Sequence, residues 1–113
     1  MTQPRQAPAE PFGRLSPKEV SERVASGELK IVDVRENWEY ARDHIPNAML
    51  TPLGQIIARP QEAITLDNVV FVCEVGQRSA VAAEMAAAVG MQHVFNLEGG
   101  MQAWRNAGLP VES

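Results

Sequence analysis

Residues 69–79 read VVFVCEVGQRS and join a short apolar run to the only cysteine of the chain. The run 69–72 is β-branched or aromatic and contains no polar residue, which is typical of a central parallel strand buried on both faces. The alanine-rich segment 77–89 favours a helix. Backbone N–H groups of the intervening loop and of the first helical turn would then point at the Cys73 sulfur, or at an anion beside it. The stretch therefore predicts an anion-binding loop around a cysteine thiolate.

Two further residues of this loop favour a reactive cysteine. A single cysteine after an apolar strand is most often a small buried residue without chemistry. Here, however, Arg78 adds a permanent positive charge with forked donors, and Gly76 allows a backbone conformation that a Cβ would resist. Ligands of open α/β sheets bind outside the carboxyl ends of the strands, which is where Cys73 is expected to lie. We therefore predict that Cys73 is a nucleophile rather than a packing residue.

The composition of the chain argues against several classes of protein. With 113 residues, the chain is long enough for one domain with a core of its own. A single cysteine cannot form an intrachain disulfide, which suits a reducing cytoplasm. The net charge of −4 and the scattered basic residues argue against nucleic acid, and no apolar run is long enough to cross a membrane. No spacing of acids, histidines and cysteine is typical of a metal site, so we expect neither metal nor cofactor.

Turn and cap residues divide the chain into a tail and one domain. Residues 1–11 are rich in proline without an apolar pattern, which predicts a flexible tail before a domain over 12–113. Ser16 and Glu19 form a capping box for a first helix that stops at Gly27. The alternation of strands and helices predicts an α/β fold with a parallel sheet covered on both faces. The predicted strands are 31–34, 48–50, 69–72 and 93–97, and the helices are 17–26, 36–42, 52–58, 77–89 and 101–106, with 59–68 mostly loop.

The order of the motifs resembles that of the single-domain rhodaneses, or rhodanese-like sulfurtransferases. The resemblance implies a rhodanese-like fold with a five-stranded parallel sheet and helices on both faces. In that family the cysteine attacks the outer, sulfane sulfur of a donor such as thiosulfate. It holds that sulfur as a persulfide and delivers it to cyanide or another thiophilic acceptor. The similar segments read LSP at 15–17, IVDVRE at 31–36, EY at 39–40, HIPNA at 44–48, CEVGQRS at 73–79, LEGG at 97–100 and AW at 103–104.

The resemblance also assigns roles to the loop residues. Cys73 becomes the nucleophile and sulfur carrier, and Arg78 braces the loop and meets the anionic donor. Because convergent N–H groups stabilise both the thiolate and the persulfide, no histidine base is required. Ser79 would cap the helix or hydrogen-bond the sulfur. The expected partners are a small sulfur donor, a thiophilic acceptor or a protein that carries a persulfide, and the expected substrate-binding residues are Glu74, Val75, Gly76, Gln77, Arg78 and Ser79.

Three other functions stay open at this point. Related phosphatases and arsenate reductases place five residues between the cysteine and the arginine, whereas four residues separate Cys73 from Arg78, and the tighter loop favours sulfur. A regulatory binding module would keep the fold without turnover, although the intact cysteine, glycine and arginine argue against it. A redox sensor would form a sulfenic acid at Cys73, but the chain has no second cysteine to resolve it.

Residues near the loop carry further expectations. The Glu74 carboxylate should oppose the field of Arg78, so we expect thiosulfate to be a poor donor and a protein or low-molecular-weight persulfide to be the physiological one. Asp33 and Arg35 are expected to form a structural ion pair. The remaining expectations are structural hydrogen bonds at His44 and His93, packing at Trp38, Phe95 and Trp104, tolerance of positive φ at Asn47 where many relatives have glycine, and a place for Glu98 near the mouth of the site.

Overall fold

Strands and helices alternate along the chain, as the sequence predicts. A computed structural model describes residues 10–113, and residues 1–9 of the predicted tail lie outside the described residues. The strands are β1 (Gly13–Leu15), β2 (Lys30–Asp33), β3 (Met49–Leu50), β4 (Val69–Val72) and β5 (Val94–Leu97). The helices are α1 (Pro17–Ala25), α2 (Asn37–Arg42), α3 (Leu53–Ala58), α4 (Pro60–Ala63), α5 (Gln77–Ala88) and α6 (Gly100–Asn106).

The five strands form one parallel sheet in the order β1-β5-β4-β2-β3. The predicted five-stranded parallel sheet is therefore confirmed. All four residues of β4 are buried, as expected for the central strand of a sheet covered on both faces. Because the strands are parallel, their carboxyl ends share one edge of the sheet, and Cys73 follows β4 at that edge.

Two apolar cores lie on opposite faces of the sheet. Successive side chains of a strand alternate between faces, and β4 accordingly sends Val69 and Phe71 into one core and Val70 and Val72 into the other. The first core includes alanines of α5, whose small side chains let the helix lie close to the sheet. The second core includes Met101 and Trp104 of α6 and Val20 of α1. Helices on both faces are thus confirmed.

Two short elements differ from the prediction. Strand β1 is the fifth strand, and it pairs with β5 at the edge of the sheet. Sequence analysis missed this strand because it has only three residues and begins with a glycine. Glycine suits this position, since a Cβ on Gly13 would lie 2.7 Å from the Phe95 ring. Helix α4 occupies part of the segment predicted as loop, with Pro60 at its first position. The polar composition of 59–68 concealed this single turn.

Predictions that rest on neighbouring residues in the sequence were more reliable than predictions of which side chains are buried. The capping box of α1 is present, with hydrogen bonds of 3.2 and 2.8 Å between Ser16 and Glu19. Asn47 has φ of 71°, as the sequence allowed. Trp104 packs in a core, but Trp38 is 65% exposed and belongs to neither core. Over the described chain, no helix has the length and apolar character needed to cross a membrane.

Candidate active site

Cys73 lies at the carboxyl end of the central strand and opens a tight turn into α5. Gly76 completes the turn with φ of 99°, a conformation that favours glycine. The turn brings the Gly76 N–H to 3.1 Å from the Cys73 sulfur, and the Ser79 hydroxyl lies 3.2 Å from the same atom. The cysteine is 1% exposed, so its side chain is buried. Ser79 thus lies within hydrogen-bond distance of the sulfur, one of the two roles predicted for it.

The start of α6 holds the first half of this loop. The Met101 N–H donates to the Cys73 carbonyl at 2.8 Å, and the Gln102 N–H donates to the Glu74 carbonyl at 3.1 Å. A Cβ on Gly100 would lie 2.4 Å from the Cys73 carbonyl oxygen, so only glycine permits this approach. Because α6 binds both carbonyl oxygens, the negative ends of these peptide dipoles are directed at the helix and not at the sulfur.

Arg78 is held by a carboxylate to which sequence analysis assigned no role. Its guanidinium donates to both oxygens of Glu39, at 2.8 and 2.9 Å, and so ties α5 to α2. The hydrogen bonds from Arg78 lower the pKa of the Glu39 carboxyl to about 2. Arg78 thus braces the loop against α2, and two of its three guanidinium nitrogens already donate hydrogen bonds to Glu39. The EY motif at 39–40 marks this residue but does not reveal its partner.

Glu74 faces two arginines other than Arg78. Arg105 donates to its carboxylate at 2.7 and 3.2 Å, and Arg35 donates at 3.3 Å. The hydrogen bonds from Arg105 hold the pKa of Glu74 below its usual range. The expectation that Glu74 opposes the field of Arg78 is corrected here, because its negative charge is offset by Arg105 and Arg35.

The remaining members of this ionic network surround the loop. Arg35 and Asp33 are fully buried and joined by hydrogen bonds of 2.9 to 3.2 Å, so their structural ion pair is confirmed. Arg105 also binds Asp43 at 2.7 and 2.9 Å. The network contains more carboxylates than guanidiniums: Asp33, Glu39, Asp43 and Glu74 against Arg35, Arg78 and Arg105. Every arginine in it is therefore matched by at least one acid.

An open groove borders the outer side of the loop. Val75, Gly76 and Gln77 of the loop line this groove, together with residues 14, 16 and 17. Val75, one of the predicted substrate-binding residues, is 47% exposed. Glu98 also lines the groove, where its carboxylate accepts a hydrogen bond from Arg14 at 3.1 Å. Glu98 thus lies beside the site, as the sequence indicated.

The two histidines lie in structural contacts. The Nδ1 atom of His44 is 2.7 Å from the Tyr40 carbonyl, which can only accept, and the two rings stack at 3.7 Å. His93 lies 3.5 Å from Asp67 at the opposite, amino-terminal end of the strands. Within residues 10–113, no three His, Cys, Asp or Glu side chains converge as a metal site.

Asn96 is the polar residue of this region that sequence analysis missed. It lies in the buried strand β5, its Nδ2 donates to the Gly76 carbonyl at 3.0 Å, and its Oδ1 lies 2.5 Å from the Ser79 hydroxyl. A buried polar side chain needs hydrogen-bond partners. An amide within the otherwise apolar run VFNL was the available signal, although it did not identify those partners.

Several known proteins share sequence and fold with this chain. The chain is 36% identical over 91 residues to the putative sulfur carrier protein YrkF of Bacillus subtilis; the match includes 80% of this chain but only about half (49%) of that protein. A sulfurtransferase of Allochromatium vinosum is 35% identical over 98 residues, which include 86% of this chain and 92% of that one. The solved rhodanese-like domain protein of Staphylococcus aureus matches with a TM-score of 0.74 and 33% identity over 90% of this chain and 100% of that one. The family model of the rhodanese-like domain matches residues 16–107. The chain therefore belongs to the rhodanese-like domain family.

Proposed function

We propose that this chain is a sulfurtransferase that carries sulfane sulfur as a persulfide on Cys73. The observation that carries the proposal is the pairing of the buried Cys73 sulfur with the Gly76 N–H at 3.1 Å, at the carboxyl end of the central strand. A backbone donor aimed at the sulfur stabilises the anion both before and after transfer. Membership of the family, and relatives named as a sulfurtransferase and a putative sulfur carrier, support the same reaction class.

The proposed cycle has two displacement steps. The Cys73 thiolate attacks the outer sulfur of the donor, a new S–S bond forms, and the donor's S–S bond breaks. With thiosulfate the leaving group is sulfite, and with a persulfide it is the donor's thiolate. An acceptor such as cyanide then attacks the outer sulfur, a carbon–sulfur bond forms and the S–S bond of the persulfide breaks. The electron pair of that bond stays on Cys73 as the thiolate, and thiocyanate leaves. No net oxidant or cofactor enters the cycle.

The ionic network supports a persulfide as the preferred donor. Thiosulfate carries two negative charges, and Arg35, Arg78 and Arg105 are each already paired with acids. A dianion would have to compete with those carboxylates, whereas the sulfur group of a persulfide carries one negative charge at most. We therefore propose a low-molecular-weight or protein persulfide as the donor. The reducing cytoplasm, which keeps such thiols available, is the compartment proposed for this chemistry.

Intact-mass measurement tests the proposal directly, since the chain has one cysteine. The protein is incubated with thiosulfate or with glutathione persulfide, and cyanide is then added. The expected result is the gain of one sulfur atom that requires Cys73, is faster with the persulfide and is released as thiocyanate. The Cys73→Ser variant is the matched control. A folded protein that gains no sulfur from either donor would leave the non-catalytic module as the better description.

A further inference from the structure

Asn96 has an amide orientation that its neighbours determine. One end of the amide lies 3.0 Å from the Gly76 carbonyl oxygen and the other lies 2.5 Å from the Ser79 hydroxyl oxygen. A carbonyl oxygen accepts hydrogen bonds and never donates them. The NH₂ group of Asn96 must therefore face Gly76, and its oxygen must face Ser79.

This orientation determines the position of the Ser79 proton. Two oxygens at 2.5 Å need a hydrogen between them, and the Asn96 oxygen has none to give. Ser79 therefore donates its single hydroxyl proton to Asn96. Its lone pairs then face the Cys73 sulfur, which lies 3.2 Å away. A hydroxyl oxygen in this orientation can accept a hydrogen bond from a thiol but has no proton to donate to the sulfur.

This arrangement of hydrogen bonds stabilises a thiolate less than it stabilises a thiol. The thiolate has no proton to donate, so it faces the lone pairs of Ser79 unless the hydroxyl rotates. Rotation toward the sulfur would leave the buried Asn96 oxygen without its donor, which is unfavourable. In the resting arrangement the Gly76 N–H at 3.1 Å is the hydrogen bond donor to the sulfur within the described chain.

We propose that Asn96 is a positioning residue that turns the Ser79 hydroxyl away from the Cys73 sulfur and so restrains ionisation of the nucleophile. The inference rests on the proposed role of Cys73 as the sulfur carrier. Its consequence is a resting cysteine that stays protonated and resists oxidation, because oxidants attack the thiolate. The hydroxyl is released to the sulfur when the sulfur becomes anionic during transfer, at the cost of the bond to Asn96.

The charged groups around the loop do not obscure this effect. They are Arg78 with Glu39, Glu74 and Asp43 with Arg105, and the buried pair of Arg35 with Asp33. Hydrogen bonding to Arg78 lowers the pKa of Glu39 to about 2, and the pKa of Glu74 is also lowered, by Arg105. Arginines keep their charge throughout the accessible pH range. Between about pH 6 and 10 Glu39, Glu74 and the arginines therefore keep constant charge.

The rate of alkylation of Cys73 by iodoacetamide tests the inference without any sulfur donor. Replacing Asn96 by leucine removes the acceptor and frees the hydroxyl for the sulfur. We expect alkylation at neutral pH to become about tenfold faster, with the ratio to wild type falling toward one as pH rises. A ratio that stays constant across pH would indicate a change in access and not in ionisation, and would overturn the inference.

The substitution Asn96→Leu has two effects, because it releases the Ser79 hydroxyl and also removes the hydrogen bond to Gly76. Repeating it in a Ser79→Ala variant distinguishes these two effects. In the Ser79→Ala background, Asn96→Leu still loses its bond to Gly76 but has no hydroxyl to release, so no acceleration is expected. An equal acceleration in both backgrounds contradicts the proposal. If circular dichroism shows that the Asn96→Leu variant does not fold, the alkylation rate of the Ser79→Ala variant alone tests the inference. This variant should alkylate no more slowly than wild type, whereas about tenfold slower alkylation would mean that Ser79 donates to the resting sulfur. Because sulfur transfer is not the readout, these outcomes do not depend on the donor.

Discussion

The Arg78 guanidinium binds both oxygens of the Glu39 carboxylate, at 2.8 and 2.9 Å, and joins the helix after the cysteine loop to α2. The Glu39 side chain is 8% exposed and that of Arg78 is 36% exposed, so the pair is partly shielded from water. The contact makes Arg78 a brace of the loop. Any anion that binds Arg78 would have to compete with Glu39 for it.

Replacing Glu39 by glutamine should lower the free energy of unfolding by about 1 kcal/mol, a value reduced for the solvent exposure of Arg78. Urea denaturation measures this change. The matched control is Glu62→Gln, which removes the exposed pair with Arg59 and should cost less than about 0.5 kcal/mol. Equal effects of the two variants would contradict the bracing role.

The same Glu39→Gln variant should use thiosulfate better, because it frees the charge of Arg78. We expect the KM for thiosulfate to fall about two- to fivefold at low salt, with the gain lost at high ionic strength. Steady-state thiocyanate production measures it. An unchanged KM would show that Arg78 does not contact this donor.

Acidification should remove the contribution of Glu39 to stability. Its pKa is lowered in the folded protein from 4.5 to about 2, so its stabilisation is fully present above about pH 4.5 and is lost as pH falls toward 2. The stability difference between wild type and Glu39→Gln should therefore shrink between those values. Urea denaturation of both proteins across this range provides the check, and a difference independent of pH would rule the linkage out.

Alanine at Gly100 should disrupt the contact between α6 and the cysteine loop. The new Cβ would lie 2.4 Å from the Cys73 carbonyl oxygen and 2.6 Å from the Glu74 carbonyl carbon and oxygen. We expect a loss of about 2–4 kcal/mol and a slower formation of the persulfide. Gly108→Ala is the control, since Gly108 also has positive φ but has nothing within 4 Å of a Cβ. That control should cost about 1 kcal/mol and leave sulfur loading unchanged.

A double-mutant cycle should show that Arg105 and Glu74 act together. The Arg105 Nη1 and Glu74 Oε2 atoms are 2.7 Å apart, and both side chains are partly exposed. We therefore expect a coupling free energy of about 0.5–1 kcal/mol. Arg105→Gln, Glu74→Gln and the double variant are compared by urea denaturation at low salt. Additive effects within error would mean that the contact does not contribute to stability.

Sequence patterns were sufficient for the elements whose signals are local. The unbroken apolar run 69–72 indicated the central strand, and the capping box of Ser16 and Glu19 fixed the start of α1. The loop motif also identified Cys73, Gly76 and Ser79, which the structure brings together. Strand β1 escaped prediction because three residues carry too little periodicity to be recognised alone.

The sequence by itself determined a parallel α/β sheet and a cysteine at the carboxyl end of its central strand, because alternation, caps and turns depend on near neighbours. Only the tertiary structure decided which charged and polar side chains meet: Glu39 with Arg78, Glu74 with Arg105, and Asn96 with Ser79. These partners lie 17 or more residues apart in the chain. Their contacts follow from the order of the strands and the packing of helices around one sheet edge, and side-chain type alone does not specify its partner.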